Sequence, residues 1–198
     1  MVVYILSVRA DLEHVSSLQL KADADLTLSV RNPRDPTQVR DKIVVETSSV
    51  LENRGIIHTQ NSNASVKQEP PSHFALKWDG AIDRATLRVL TVQDLEQQRQ
   101  HGSSGKKGKQ QHANKYNNSI TDIKSSIQAS DSGNFVPILA LDCHDLEPYA
   151  FHPRGDEFTL TNTSGETFDN VDLSEGSWSQ VDLASGTTAV KNFEAKFE

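Results

Sequence analysis

The sequence has little of several things that common classes of protein require. It has a single cysteine, Cys143, and 35% apolar residues, with no run near the roughly 20 apolar residues that a membrane span needs. One cysteine excludes an internal disulfide and a zinc site built on several thiolates, which is typical of a reducing compartment. The opening MVVYILSV has neither the basic start nor the apolar length of a secretory signal. We therefore expect a soluble cytoplasmic protein that has no membrane partner.

The short motifs that identify many enzymes and nucleotide-binding proteins are missing as well. The chain has no Walker loop and no GxGxxG, HExxH or GxSxG string. Its 27 acidic and 20 basic residues give a net charge of −7, which argues against general nucleic-acid binding. The sequence therefore names no reaction, and a nucleic-acid partner is not expected.

Short runs of β-branched or alternating residues predict an all-β fold. Leu26, Leu28 and Val30 alternate with polar residues, which predicts a half-buried strand. Asn32–Pro36 contains two prolines and predicts a turn, and Asp79-Gly80 between two apolar runs predicts a hairpin. Further strands are predicted at residues 3–10, 42–46, 56–57, 74–78, 85–92, 135–141, 157–161, 167–173 and 189–197.

The two ends of the chain contain a weak internal repeat. Residues 6–8 run into Asp11-Leu12-Glu13, and residues 139–141 run into Asp145-Leu146-Glu147 with one extra residue between. We interpret four acidic residues as equivalent structural corners of the repeat: Asp11, Glu13, Asp145 and Glu147. Strands with one apolar face bury that face best against another sheet. The repeat therefore predicts two halves that form packed antiparallel sheets in a sandwich-like arrangement.

The middle of the chain has a different composition from its ends. Residues 97–118 contain five Lys or Arg, no acid and one aromatic residue, so that, of the net charge of −7, the remaining residues carry −12. Such a segment has too little apolar surface to offset the entropy lost on ordering, which predicts a disordered basic insertion. We therefore divide the chain into a β half at 1–96, an insertion and linker at 97–132, and a β half at 133–198, within one compact domain.

Two stretches of the sequence resemble a known family. The string FVPILALDCHDLEPYAFHPRG at 135–155 precedes GETFDNVDL at 165–173 and Trp178, and LSVRADLEHVSSL stands at 6–18. Taken together they resemble the CXXC-motif-containing zinc-binding protein family, whose members carry the patterns ADLENVT, CRGLEPVDFxPxG and GTxFxDIxLxExxWxDYD. The resemblance covers both ends of the chain, and the middle agrees only in order and hydrophobicity.

The resemblance implies a zinc site that this chain does not keep. Family members hold one zinc with two CxxC pairs, and the former zinc-site positions in this chain are Asn32, Asp35, Trp78 and Ala81. None of the four is a thiolate, whereas structural zinc takes four N, S or O ligands. We therefore predict no metal and no cofactor, and we expect the loop prolines and Trp78 to take over the clamping role.

The most reactive side chains also have ordinary structural explanations. Cys143 and His144 could form a nucleophile and base, but strand neighbours point to opposite faces, so a buried structural cysteine is favoured. A metal site from Cys143, His144 and His152 lacks a fourth ligand. The acidic corners could serve in acid–base catalysis, but their repeated position is explained by structure. We predict no catalytic residue and no enzyme activity.

These observations predict a non-enzymatic cytoplasmic binding module for another protein. The candidate partner-binding loop comprises Asn32, Arg34 and Asp35, together with exposed sheet edges. The pattern also resembles a fungal co-chaperone that works with a zinc-finger chaperone in the biogenesis of translation elongation factor 1-alpha, which implies a chaperone or its GTPase client as the partner. Two alternatives stay open: a metal-handling protein like the zinc-bearing relatives, and an enzyme that uses Cys143 or the acidic corners.

Overall fold

A computed structural model describes residues 2–51, 71–91, 94, 123–182 and 186–198. Within these ranges, the secondary-structure elements whose ends are described are all β-strands, apart from one 3-10 turn at Ala129–Asp131. The strands are β1 Val2–Glu13, β2 Val15–Leu20, β3 Leu26–Asn32, β4 Asp35–Val45, β5 Phe74–Leu76, β6 Ala85–Leu90, β7 Ile127–Gln128, β8 Val136–His144, β9 Glu147–Phe151, β10 Phe158–Asn162, β11 Thr167–Phe168, β12 Trp178–Asp182 and β13 Gly186–Phe197. The predicted all-β fold of packed antiparallel sheets is confirmed.

The largest sheet contains strands from both ends of the chain. Its six strands run in the order β12-β13-β1-β8-β6-β5, with β1 and β8 antiparallel at the centre. We call β1–β6 the first half and β8–β13 the second half. The first strand of each half is central in this sheet and lies next to the sixth strand of the other half, and the fifth strand of each half forms an edge. The register of β1 and β8 shifts between Leu139 and Pro137, as is typical where a proline lies within a strand.

The two smaller sheets join one half to the other. One has the order β11-β10-β2-β7 and the other β4-β3-β9, so that β2 pairs with β10 and β3 pairs with β9. Each of these pairs contains one strand from each half. The structure therefore has three sheets where two were predicted, because the second and third strands of each half pair with strands of the other half.

The interior is apolar and shared by the halves. Side chains such as Leu6, Leu28 and Leu141 are fully buried in one continuous cluster. Phe158 makes edge-to-face contacts with Phe151 and Phe193, whose ring centroids lie 6.4 and 5.4 Å away. Aromatic pairs of this geometry add about 0.5–1.5 kcal/mol each beyond their buried area. The halves are thus held together through their core.

One local prediction was wrong: β3 is buried on both faces, and on the polar face the Ser29 hydroxyl is hydrogen-bonded to His152 at 2.7 Å. The hairpin predicted at Asp79-Gly80 is present, since β5 and β6 are antiparallel neighbours, but they pair from Leu76 opposite Ala85, so a longer loop connects them. That longer loop becomes part of the site described below.

Some predictions lie wholly or partly outside the described residues. These are the basic insertion at 97–118 and the strand at 56–57; the linker is described from residue 123 and contains β7 and the 3-10 turn. The division into 1–96, 97–132 and 133–198 stays a prediction. In the part of the chain that the structure covers, no helix has the length and apolar character to cross a bilayer.

Candidate functional site

The hairpin between β3 and β4 is closed by its own polar side chains. Asn32 pairs with Asp35 across the turn, and the Asn32 amide oxygen accepts the Arg34 backbone N–H at 2.9 Å. The Asp35 carboxylate accepts the Thr37 hydroxyl at 2.6 Å and the Gln38 side-chain amide at 3.0 Å. These hydrogen bonds, first that from Thr37, lower the pKa of Asp35. The hairpin is therefore built locally, by a turn with side-chain acceptors at both ends.

The loop between β5 and β6 lies against this hairpin. Trp78 is only 3% exposed, and the Ala81 N–H donates to the Trp78 carbonyl at 3.1 Å. Gln38 connects the two segments, since its side-chain oxygen accepts the Asp79 N–H at 3.1 Å while its amide nitrogen donates to Asp35. The Arg40 guanidinium lies 5.4 Å from the centre of a Trp78 ring. One glutamine side chain thus bridges the hairpin and the loop.

A corner of the second half completes the arrangement. Asp145 follows β8 with a left-handed backbone, φ 50°. Its carbonyl accepts the Trp78 indole N–H at 2.7 Å, and its carboxylate accepts the Arg34 guanidinium at 2.9 and 3.1 Å. We call this assembly the first joint: the hairpin at 32–35, Gln38, the loop at 78–83 and Asp145. It connects residues that are far apart in the sequence.

The first joint has an exposed surface. An open cleft of about 270 Å³ lies between hairpin and loop, lined among others by Asn32, Arg34, Ala81 and Ile82. The Arg34 side chain is 77% exposed and Ile82 is 90% exposed. Ile82 and Arg34 thus project into solvent at the same cleft, which the buried Trp78 also lines.

The structure brings most of the predicted site residues together. Asn32, Trp78 and Ala81 line the same cleft, and Asp35 pairs with Asn32 at its edge. The candidate partner-binding residues Asn32, Arg34 and Asp35 therefore share one surface with the former zinc-site positions. The loop prolines, in contrast, are exposed. The contacts across the joint come from Trp78, Arg34 and Gln38, and Gln38 was not singled out from the sequence.

The two acidic triplets occupy different structural places. Asp11 and Glu13 lie within β1, where they bind Asn192 at 2.7 Å and Lys191 at 2.6 Å. Asp145 lies in the turn after β8, and Glu147 starts β9 with an ion pair to Arg31 at 2.5 Å. His14, the residue after β1, has the same left-handed backbone as Asp145, with φ 52°. The predicted repeat is therefore offset by three residues. It aligned Asp11 with Asp145 because the residue types agree, whereas the residue at the turn after β1 is His14.

The reactive side chains are not brought together. Cys143 is 1% exposed within β8, and burial raises the pKa of its thiol well above its usual range. His144 is exposed on the opposite face, and His152 is bound to Ser29 at 2.7 Å. This arrangement forms no nucleophile and base pair between Cys143 and His144.

The donor set at the first joint does not fit a structural zinc. The four former zinc-site positions offer one carboxylate, Asp35, whose oxygens already accept hydrogen bonds from Thr37 and Gln38. Trp78 and Ala81 have no side-chain donor for a metal, and a tetrahedral site needs four. Among the described residues, no three His, Cys, Asp or Glu side chains are grouped closely enough to hold an ion.

Comparison with known proteins gives the family and the fold. A family description, the CXXC-motif-containing zinc-binding protein of eukaryotes, matches residues 5–198. UPF0587 protein CG4646 of Drosophila melanogaster is 34% identical over 70 residues, which span 35% of this chain and 43% of that relative. A hypothetical protein from Plasmodium falciparum has the same fold at TM-score 0.69 and 15% identity, with 100% of both chains covered. The crystal structure of C1orf123 does so at TM-score 0.70 and 17% identity, over 100% of this chain and 99% of that one. Because the family description spans nearly the whole sequence, the chain belongs to the CXXC-motif-containing zinc-binding protein family of eukaryotes.

Proposed function

We propose that this chain is a zinc-independent member of its family that binds another protein through the first joint. The observation that carries the proposal is the exposed pair of Arg34 and Ile82 on a support that hydrogen bonds hold in place. Arginine is enriched in protein-binding surfaces, and an exposed apolar side chain gains free energy when a partner buries it. The same position in zinc-bearing relatives would be the metal knuckle.

The hydrogen bonds of the first joint perform the task that zinc has in the relatives. Trp78 to Asp145, Arg34 to Asp145 and Gln38 to Asp79 tie the hairpin, the loop and the corner together. A metal would tie the hairpin and the loop through four thiolates. The protein contacts also include the corner, so they fix all three segments. This supports a fold that does not depend on an ion.

A binding role without catalysis agrees with the state of the reactive groups. The Cys143 thiol is buried with a raised pKa, and the acidic corners are engaged by Asn192, Lys191, Arg34 and Arg31. Groups used in acid–base or nucleophilic catalysis need access to a substrate. We therefore propose a non-enzymatic role.

For the partner, we propose a chaperone or its GTPase client in the cytoplasm. The support is the sequence resemblance to the fungal co-chaperone called altered inheritance of mitochondria protein 29, which acts in the biogenesis of translation elongation factor 1-alpha. Under this proposal the first joint contacts the client or the chaperone while the client folds.

Co-purification from cells tests the partner. Tagged chain with Arg34→Ala and Ile82→Lys is compared with the unchanged chain and with Val50→Lys, which alters another exposed apolar residue. We expect a chaperone and the elongation-factor GTPase with the unchanged chain and with Val50→Lys, and their loss with the double variant. Recovery of neither protein, or equal recovery with the double variant, would reject the assignment.

Metal analysis separates this proposal from the metal-handling alternative. Chain purified without chelator is measured by inductively coupled plasma mass spectrometry, and zinc far below one ion per chain is expected. One zinc per chain that survives dialysis would favour the metal-handling function that the family name suggests.

A further inference from the structure

The strand β12 leaves one edge of the large sheet open. It pairs with β13 on one side, and among the described residues no strand lies on its other side. Its Ser179 and Gln180 side chains are exposed, and Val181 is 67% exposed. An open edge presents backbone N–H and C=O groups that an extended segment of another protein can pair with.

This edge lacks the devices that protect the other edges. β5, at the opposite side of the same sheet, is only three residues long. β4, at the edge of the smallest sheet, contains Pro36 and a register shift near Lys42, which has a left-handed backbone. Charged side chains, above all lysine, together with proline, bulges and short length are the features that keep sheet edges from pairing. β12, Trp-Ser-Gln-Val-Asp, has no proline, lysine or register shift, and its one charged residue is the acid Asp182 at its end.

A groove with an aromatic wall opens at the start of β12. It measures about 510 Å³ and lies between residues 175–179 and residues 190–192. Trp178 forms part of its lining, half-buried, with its ring 5.3 Å from that of Phe168. The one cation in the lining, Lys191, is paired with Glu13 at 2.6 Å. An aliphatic stem could pack on this aromatic side chain while a cation reaches the acidic rim at Glu175.

The stretch of the chain that contains β12 is acidic. From Gly155 to Val190 the chain has seven acidic residues and no Lys, Arg or His. Glu157 is buried, where it accepts the N–H groups of Arg154 and Gly155 at 2.7–2.9 Å. Exposed acidic side chains are those of Asp156, Glu166, Asp169, Asp172 and Glu175. A field of one sign favours an occupant of the opposite sign.

We propose that β12 binds an extended basic segment of a partner protein, which adds a seventh strand to the large sheet. Aliphatic residues at alternate positions of the segment pack on Val181, and its Lys or Arg residues lie on the opposite face of the strand, where their stems pack on Trp178 and their charges reach Glu175. The inference rests on the proposed function in that the occupant belongs to a protein, but it names a surface other than the first joint.

A synthetic peptide that alternates lysine and valine tests the proposal on the purified full chain. Fluorescence anisotropy of the labelled peptide should show binding that weakens as salt rises. In ¹⁵N-labelled chain, the indole signal of Trp178, assigned with Trp178→Phe, should shift on binding, and that of buried Trp78 should stay. Because the assay uses purified chain, failure to recover a cellular partner does not affect its outcome.

Matched variants locate the binding edge. Val181→Lys should weaken the peptide by about tenfold or more, since it places a cation at an edge that receives cations. Val44→Lys makes the same change at an exposed valine of edge strand β4 and should leave the affinity unchanged. Thermal unfolding of both variants checks that they fold. A peptide that alternates glutamate and valine should bind far more weakly than the basic one.

Four results would overturn the proposal. Equal binding of the acidic peptide would remove the role of charge, and loss of binding in Val44→Lys would move the site to β4. Tighter binding after deletion of residues 97–118 would assign the edge to the basic segment of this chain itself. Dimerisation that Val181→Lys abolishes, seen by sedimentation, would assign it to a second copy.

Discussion

The corners at His14 and Asp145 have the same left-handed backbone, and each lies against a hairpin of the other half, but different contacts hold them. The His14 carbonyl accepts the backbone N–H of Thr163 at 3.0 Å, and its ring is bonded to the Thr187 carbonyl at 2.9 Å. We call this region, with the hairpin at 162–166, the second joint. The Asp145 carbonyl instead accepts an indole N–H from a side chain. One joint is closed mainly by backbone groups and the other by Trp78 and Arg34.

The two hairpins show the same solution at their start. Asn32 ends β3 and Asn162 ends β10, both are buried, and each amide oxygen accepts the N–H of the residue two positions later. Asn162 also accepts the N–H of Glu166 at 2.9 Å. The second joint thus shows that a corner and a hairpin of this fold can be joined by protein groups alone.

The largest loss of stability is expected from Trp78→Ala. The change removes a fully enclosed indole and its hydrogen bond to Asp145, so the free energy of unfolding should fall by about 3–5 kcal/mol. Trp178→Ala, at a half-buried tryptophan with no such bond among the described residues, should cost clearly less. Urea unfolding of both variants measures the difference, and equal losses would contradict a special role of Trp78 in the first joint.

For the asparagines that end β3 and β10, the larger loss of stability is expected in the second joint, not in the first. Asn162→Ala leaves the Ser164 and Glu166 N–H groups without an acceptor and should lower the free energy of unfolding by about 2–3 kcal/mol. Asn32→Ala leaves one N–H, that of Arg34, and should cost about 1 kcal/mol. Chemical unfolding of the two variants side by side checks the order. A larger loss at Asn32 would show that the first hairpin depends on a contact other than those described.

Valine at either corner should have a similar cost. Both His14 and Asp145 have φ near 50°, where a β-branched side chain is strained, so His14→Val and Asp145→Val should each lose about 1–3 kcal/mol. His14→Gly and Asp145→Asn, which tolerate this backbone, are the controls. Thermal unfolding measures all four, and a harmless valine at one corner would mean that the two corners differ in backbone conformation.

Mild acid should loosen the first half before the second. The Val89 N–H donates to His73 Nδ1 at 3.0 Å, and burial, followed by the charge of Arg88, lowers the pKa of His73 below its ordinary 6.5. Because the unfolded chain binds the proton more readily, this contribution is complete above pH 6.5 and declines as pH falls below it. β12, the counterpart of β5, contains no histidine.

Hydrogen exchange across this pH range measures the effect. Amides of β5 and β6 should lose protection below pH 6.5 relative to those of β12 and β13. His73→Asn keeps an acceptor near the same place and should remove the difference. An unchanged difference in that variant would mean that another group titrates.

Local pattern was enough to predict the fold class but not the number of sheets. The alternation at Leu26, Leu28 and Val30 predicts a strand correctly. β2, β9 and β12 were missed, because each is a short run of mixed apolar and polar residues. β2 and β9 also pair with strands that are far away in the sequence, β10 and β3. β3 was expected to have one solvent-exposed face, because the polar residues Thr27 and Ser29 do not reveal that their side chains are buried.

The site was predictable in part. The family resemblance selected Asn32, Asp35, Trp78 and Ala81, which the fold does bring to one place. The role of Asp145 toward Trp78 and Arg34 spans separations of 67 and 111 residues, and no local pattern records such a contact. Gln38 was missed for the same reason, since its role depends on a loop that lies 41 residues away.

Thermal unfolding with and without a strong chelator tests most directly whether the first joint is held without zinc. The full chain, purified without chelator, is heated in buffer alone, with excess 1,10-phenanthroline, and with chelator followed by added zinc. Structural zinc contributes folding free energy outright, so its removal lowers the midpoint of unfolding. The account predicts the same midpoint in all three conditions. A midpoint that falls with chelator and returns with zinc would contradict it.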